Sequence, residues 1–396
     1  MASCIGMVAL SIDLMLPAFP DVRDEFGLPT DSSQPSWIIT SLFLGLAVGQ
    51  LVYGPLSDRY GRKPLLNVGL VLMAASAAAC AVAPSLGVLV ACRVTWGLGA
   101  AAPRSLAVAM VRDRYAGDRM ARTMSHIMAL FIVVPAIAPS VGAAILAFAP
   151  WRTLFWLPGL AAVGVACWAR RLPETLPRER RRPPVRGALL AAAVEVVRSP
   201  PTIGFAIALT CLYGIMTAYI GSSQLIVEEV FGLEGLFPII FGVLALFMAL
   251  GSFINAWLVE RIGLFGMIRH GAAALAGAAV LTMLVAVGFG GEPPIVVFGV
   301  AMATLLPVVA ILLPDSNTAA MLPLPHVAGM AAALLGTVST AGGALLGSVI
   351  DSRFDGTITP FAWGVLLCGL AATAAIYLLG LRASDRSARA LSIGVD

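Results

Sequence analysis

The sequence predicts an all-α membrane protein, with twelve transmembrane helices in two pseudo-symmetric six-helix bundles. Three observations carry this expectation. The 396 residues are 59% hydrophobic and 12% charged, with mean hydropathy +0.94, too little charge to cover the surface of a water-soluble domain of this length. The apolar residues come in blocks of roughly twenty, the length a helix needs to cross ~30 Å of hydrocarbon. These Gly- and Ala-rich blocks lack the roughly ten-residue alternation of a membrane β-barrel. A Pro/Arg-rich stretch between them divides the blocks into two sets of six.

The spans are expected near 2–19, 36–56, 64–83, 86–110, 123–148, 152–170, 201–222, 237–258, 267–289, 294–313, 327–350 and 359–381. The first block lacks a basic leader and a small-x-small cleavage site and carries Asp13 in its apolar stretch, so it reads as a spanning helix rather than a signal peptide. No basic segment precedes it, which leaves room for a native start upstream of Met1. The bundles are expected at 1–170 and 201–385, with a cytoplasmic linker at 171–200 and a tail at 386–396.

Arginines set the expected orientation. Arg59, Arg62 and Lys63 follow the second span, and Arg112, Arg114, Arg119 and Arg122 follow the fourth. The long central loop carries eight arginines, from Arg170 to Arg198, and the tail adds Arg382, Arg386 and Arg389. The alternate loops are acidic, with Asp21, Asp24, Glu25 and Asp31 after the first span and Glu228, Glu229 and Glu234 after the seventh. Both termini are therefore expected in the cytoplasm. Six cysteines lie inside apolar blocks without CxxC spacing, which fits packing rather than metal or disulfide chemistry. His126, His270 and His326 fall near helix ends, where interfacial placement explains them.

The strongest local signal is Gly54-Pro55-Leu56-Ser57-Asp58-Arg59-Tyr60-Gly61-Arg62-Lys63-Pro64. The chain must turn here within a few residues; Gly61 permits the tight backbone and Pro64 suits a first helical turn. Asp58 suits a helix N-terminus or a cation from the fourth span, and Arg62 and Lys63 suit the lipid surface. Asp58-Arg59-Tyr60-Gly61 is echoed by Glu260-Arg261-Ile262-Gly263 half a chain later, as a duplication would leave it.

This loop, with Gly49-Gln50-Leu51-Val52-Tyr53 before it, resembles the signature loop of the major facilitator superfamily. It is similar in particular to the bicyclomycin/chloramphenicol-resistance group of drug:proton antiporters. Ser11–Pro20, Val111-Arg112-Asp113, Glu229–Leu233 and Ala328–Leu334 agree, so the resemblance covers nearly the whole chain. It implies the major facilitator fold, proton-coupled efflux of drug-like molecules through the bacterial inner membrane, and a monomer. It also implies that Asp58, with Arg112, latches the halves on the cytoplasmic side in the outward-facing state, with Gly54, Arg59, Gly61, Arg62, Lys63 and Asp113 completing the gate.

Asp13 lies seven residues before Pro20, about 10 Å inside the boundary at the helical rise. An ionised carboxylate at that depth costs several kcal/mol unless paired or protonated, which suits a proton carrier; a satisfied structural polar residue is the plainer alternative. Arg93, in Leu89–Ala100, resembles the family's buried fourth-span arginine of proton translocation, with Trp96 where glutamine is commoner. Its depth is close to that of Asp13, so a direct or water-mediated pair facing a shared aqueous pocket is expected. Arg104, eleven residues on, returns to the same helix face. Gln50, Tyr53, Tyr213, Tyr219, Gln224 and Asn255 are the further candidates for a substrate cavity, each equally readable as an interhelical hydrogen bond.

Pro135–Ala143 in the fifth span is similar to the antiporter motif through Pro135, Pro139 and Gly142, softened by Ala138 and Ala143. That softening keeps a proton-coupled metabolite permease or symporter as the alternative. No nucleotide-binding glycine loop and no surface cluster of His, Asp, Glu or Cys suggests an enzyme. No cofactor, metal or nucleic-acid partner is expected; the partners are a small-molecule substrate, protons and the lipid bilayer.

Overall fold

The computed structural model describes residues 2–381 except 116, 178, 180, 182–186 and 234. The tail at 386–396, Arg382, four of the linker arginines (Arg178, Arg180, Arg182 and Arg186) and Glu234 lie outside the described residues, as do the side chains of Arg122 and His126. Among the described residues every regular element is helical: α1 Ala2–Asp13, α2 Phe19–Glu25, α3 Trp37–Tyr60, α4 Arg62–Ala81, α5 Leu86–Arg114, α6 Gly117–Leu146, α7 Trp156–Ala169, α8 Ala188–Arg198, α9 Pro200–Leu225, α10 Phe237–Gly288, α11 Ile295–Met321, α12 Ala328–Asp351 and α13 Thr359–Ala375.

Ten described segments are long and apolar enough to cross a membrane. One of them, α10, joins two expected spans across a break at Gly263. The fifth expected span lies in α6, whose described apolar part is Val133–Leu146. Counted this way, the twelve expected spans are all present in a multi-pass membrane protein.

The first span is broken in the middle. α1 stops at Asp13, a 3-10 turn covers Leu16–Ala18, and α2 resumes at Phe19. Pro17 has no N–H to return to the carbonyl of Asp13 four residues back, so the helical ladder fails there.

Packing divides the described residues into two compact units, those within 1–186 with 220–245 and those within 187–219 with 246–396. Residues 220–245, placed by the sequence reading within 201–385, thus group with the first spans. In the first unit, α3 and α5 meet backbone to backbone. A Cβ built on Gly45 would lie 1.9 Å from the Val94 carbonyl oxygen, and one on Gly97 2.0 Å from that of Leu42. Small residues give membrane helices this approach where no hydrophobic drive exists between them. In the second unit, Gly342, Gly343 and Gly347 of α12 fit against Thr210, Tyr213 and Thr217 of α9 in the same way.

The linker is not all loop. Ala188–Arg198 is helical, with apolar residues on one face and Glu195 held to His326 at 2.5 Å. Its Ala-rich, amphipathic sequence has the periodicity of a helix lying against others, a signal that the surrounding arginines and prolines hide.

The duplicated loop keeps its backbone. Gly61 has φ 105° and ψ 158°, and Gly263 has φ 73° and ψ 164°. Both occupy a region open essentially to glycine alone.

Candidate functional site

Asp13 ends α1 and is 4% exposed. It has no hydrogen-bond or ion-pair partner among the described residues. Arg93 is fully buried. Its Nη2 donates to the Ser11 carbonyl oxygen at 3.0 Å and its Nε to that of Ile38 at 3.3 Å. The guanidinium lies over the rings of Trp96, at 5.0 Å, and Phe155, at 5.8 Å. The expected direct pair with Asp13 is not formed; Arg93 is 0% exposed, and its Nη1 has no hydrogen-bond partner among the described residues. The 3.0 Å bond instead ties it to the backbone two residues ahead of Asp13.

The cavity candidates divide between the units. In the first, Gln50 and Arg104 are half-buried and Tyr53 is buried. Gln224 is fully buried and engaged: its Oε1 accepts from Arg23 Nη2 at 2.5 Å and its amide donates to Glu228. Arg23, 3% exposed, also donates from Nε to the Ser32 carbonyl at 3.0 Å. Arg23 lies beyond the expected end of the first span at 19, where an arginine reads as part of a loop. In the second unit, Tyr213 is half-buried and Tyr219 buried. Asn255 bonds to the Asp315 carboxylate through Nδ2, at 3.0 Å. Asp315, 5% exposed, lies just past the expected end of the tenth span at 313, where a carboxylate reads as part of a loop.

The Gly54–Pro64 loop is the densest polar network. Asp58 Oδ1 pairs with Arg62 Nη2 at 2.8 Å, and Arg62 Nε with Asp113 Oδ2 at 3.3 Å. Ser57 accepts from Arg62 as well. Glu174 accepts from the backbone N–H groups of Arg62, at 2.9 Å, and Lys63, at 3.2 Å. These are the orphan donors at the start of α4, where a carboxylate is favoured. Lys63 Nζ reaches the Arg170 carbonyl at 2.8 Å. The Asp58–Arg112 pair that the resemblance implies is absent among the described residues; Asp113, the next residue, joins the network instead. Arg59 is exposed, stacked on Tyr60. Glu174 was not singled out in the sequence because it sits among linker charges.

In α6, Pro135 is half-buried and Pro139 and Gly142 are buried. A Cβ on Gly142 would lie 2.3 Å from the Leu14 carbonyl oxygen. The fifth span therefore touches the first at the residue that follows Asp13, where the helix breaks.

Twelve spans, a carboxylate buried at a helix break and a charged loop braced between α3, α4 and α5 define a polytopic membrane transporter. The sequence matches the model of the Major Facilitator Superfamily over residues 1–348, and the chain belongs to that family. It is 32% identical to the MFS-type transporter YdgK of Bacillus subtilis (strain 168), over 89% of this chain and 87% of that one. It is 28% identical to the bicyclomycin resistance protein homolog of Haemophilus influenzae, covering 94% and 92%. It is 26% identical to the chloramphenicol resistance protein of Pseudomonas aeruginosa, covering 96% and 88%. The fold is that of the solved D-xylose-proton symporter, with TM-score 0.76 at 14% identity over 94% and 95% of the two chains.

Proposed function

We propose that the chain exports small drug-like or amphiphilic molecules across the bacterial cytoplasmic membrane by alternating access, driven by inward proton flow. The observation that carries this reading is end-to-end likeness to relatives named for bicyclomycin and chloramphenicol resistance. Asp13 supports the proton step. It is the one acidic residue of α1 and lies in a buried break, where exchange between protonated and charged forms is coupled to local backbone change. Arg93 serves that step by holding the Ser11 carbonyl, hence the approach to Asp13, in place. Arg104, Gln50, Tyr53, Tyr213 and Tyr219 are the proposed substrate contacts, and the Asp58–Arg62–Asp113 network is the proposed cytoplasmic gate. Both termini are placed in the cytoplasm by the arginine distribution, and the working unit is a monomer.

A proton-coupled metabolite permease is the second reading, favoured by Ala138 and Ala143 in the antiporter motif. The deciding experiment is a drug-susceptibility panel, with bicyclomycin and chloramphenicol included, in a pump-deficient host with and without a protonophore. Protonophore-sensitive resistance to any compound supports export. No shift for any compound overturns it in favour of the permease.

A further inference from the structure

Asp315 and Asn255 form a buried polar pair in the second unit, and its hydrogen-bond arithmetic does not close with an ionised carboxylate. Asn255 Nδ2 donates to Asp315 Oδ1 at 3.0 Å. The two remaining oxygens, Asp315 Oδ2 and Asn255 Oδ1, are both buried and both without a partner among the described residues. Each is an acceptor, so neither satisfies the other. Leaving a buried acceptor unmade costs about 1–3 kcal/mol, and more where the group is charged.

One proton removes both deficits. Placed on Asp315 Oδ2, it makes that oxygen a donor to Asn255 Oδ1 while Asn255 Nδ2 continues to donate to Asp315 Oδ1. The result is an acid–amide ring in which all four polar atoms are used. We propose that Asp315 and Asn255 form a second proton-binding site, with the proton held on Asp315 Oδ2 and shared with Asn255 Oδ1.

The surroundings favour this assignment. Asp315 is the only ionisable residue of α11, six residues and about 9 Å before its end at Met321. Pro314 immediately before it has no N–H, so the ladder is already open there. α11 packs on α10, where Gly251 meets Pro307 and Gly271 meets Leu312, on α9 through Thr202 and Ala320, and on α12. The ionisable groups those helices bring are Glu260, Arg261, Arg269 and His270 on α10, Cys211, Tyr213 and Tyr219 on α9 and Asp351 on α12. Asp315 has no ion pair among the described residues, so no cation holds it as a carboxylate. A bound metal cation fits less well, because the Asn255 amide N–H already points at the carboxyl and would repel it.

The proposal rests on the proton-coupled reading for its use in transport, but its test does not. Purified full-length protein without substrate is titrated by infrared difference spectroscopy as wild type, Asp13→Asn, Asp315→Asn and Asn255→Ala. The expected result is a protonated-carboxyl C=O band that survives in Asp13→Asn and is lost in Asp315→Asn. In Asn255→Ala, which keeps Asp315, the same band should persist at higher frequency because its hydrogen bond is gone. An Asp315→Asn spectrum superimposable on wild type overturns the proposal. So does a band unmoved by Asn255→Ala, or one that sodium suppresses at constant pH. Should the band behave as expected while the wild type confers no resistance, the site stands and the export reading fails.

Discussion

Arg93 donates from Nη2 to the main-chain carbonyl of Ser11 at 3.0 Å, and so reaches the neighbourhood of Asp13 through the backbone rather than the carboxylate. An arginine that neutralised Asp13 would compete with a proton for it. One that holds the preceding turn leaves the carboxyl available. The division of labour is electrostatic: the guanidinium is held through Nε and Nη2 by two carbonyl dipoles and through its faces by two aromatic rings, and the carboxyl has no counter-ion among the described residues.

Replacing Arg93 with methionine should therefore destabilise the fold as well as transport. The Ser11 carbonyl loses its arginine donor, at about 1–3 kcal/mol, whereas the Ile38 carbonyl keeps the Ser41 hydroxyl at 3.2 Å. Lysine should not rescue, since one ammonium cannot reproduce a flat fork stacked on Trp96 and Phe155. Thermal unfolding in detergent is the measurement; Arg93→Met melting with wild type would count against this role.

Asp13→Asn should keep the fold and lose coupling. The amide fills the same volume in a buried site and carries no charge. Dissipation of an imposed pH gradient on adding an exported compound to inverted vesicles should fall to background, with unchanged melting temperature. Unimpaired proton-coupled efflux would remove Asp13 from the mechanism.

The two glycines of the loop should respond differently to alanine. Gly61 has a φ of 105°, and a Cβ there would lie 2.4 Å from Glu174 Oε2. Gly54 has open space within 4 Å. Gly61→Ala should cost on the order of 1–3 kcal/mol, whereas Gly54→Ala should be near neutral or slightly stabilising, because glycine is a poor helix former. Equal melting temperatures for the two variants would contradict this.

Arg23→Met should free Gln224. It leaves the Gln224 and Ser32 oxygens without their arginine donor, again at about 1–3 kcal/mol each. Gln224→Leu removes the side-chain acceptor and should cost less in a background that already carries Arg23→Met than in the wild type. A double-mutant cycle on unfolding reads the coupling directly; additive effects would show that the two residues do not act together.

The helical architecture and the gate loop were legible because they rest on local rules. Twenty-residue apolar runs have one cheap structure in a bilayer, and Gly61 with Pro64 announces a turn. Asp13 was legible as a lone acid in apolar sequence. Arg23, Glu174 and Asp315 were not, since each lies just outside an apolar block, where a charge normally means solvent. Their placement comes from partners distant in sequence: Gln224, the α4 N-terminus and Asn255. The break after Asp13 was half legible, because Pro17 is plain to see but the depth at which it cuts the span is set by packing against Gly142. The enclosure of Arg93 was hidden as well, since nothing local says that Phe155 comes to lie over it.

The paired torsions at Gly61 and Gly263 preserve a record of descent. The first loop carries a brace, with Glu174 capping the helix that follows, whereas a Cβ on Gly263 would meet nothing within 4 Å. A doubled ancestor can lose nearly every matching side chain and still carry its origin in the two corners that only the smallest residue can turn.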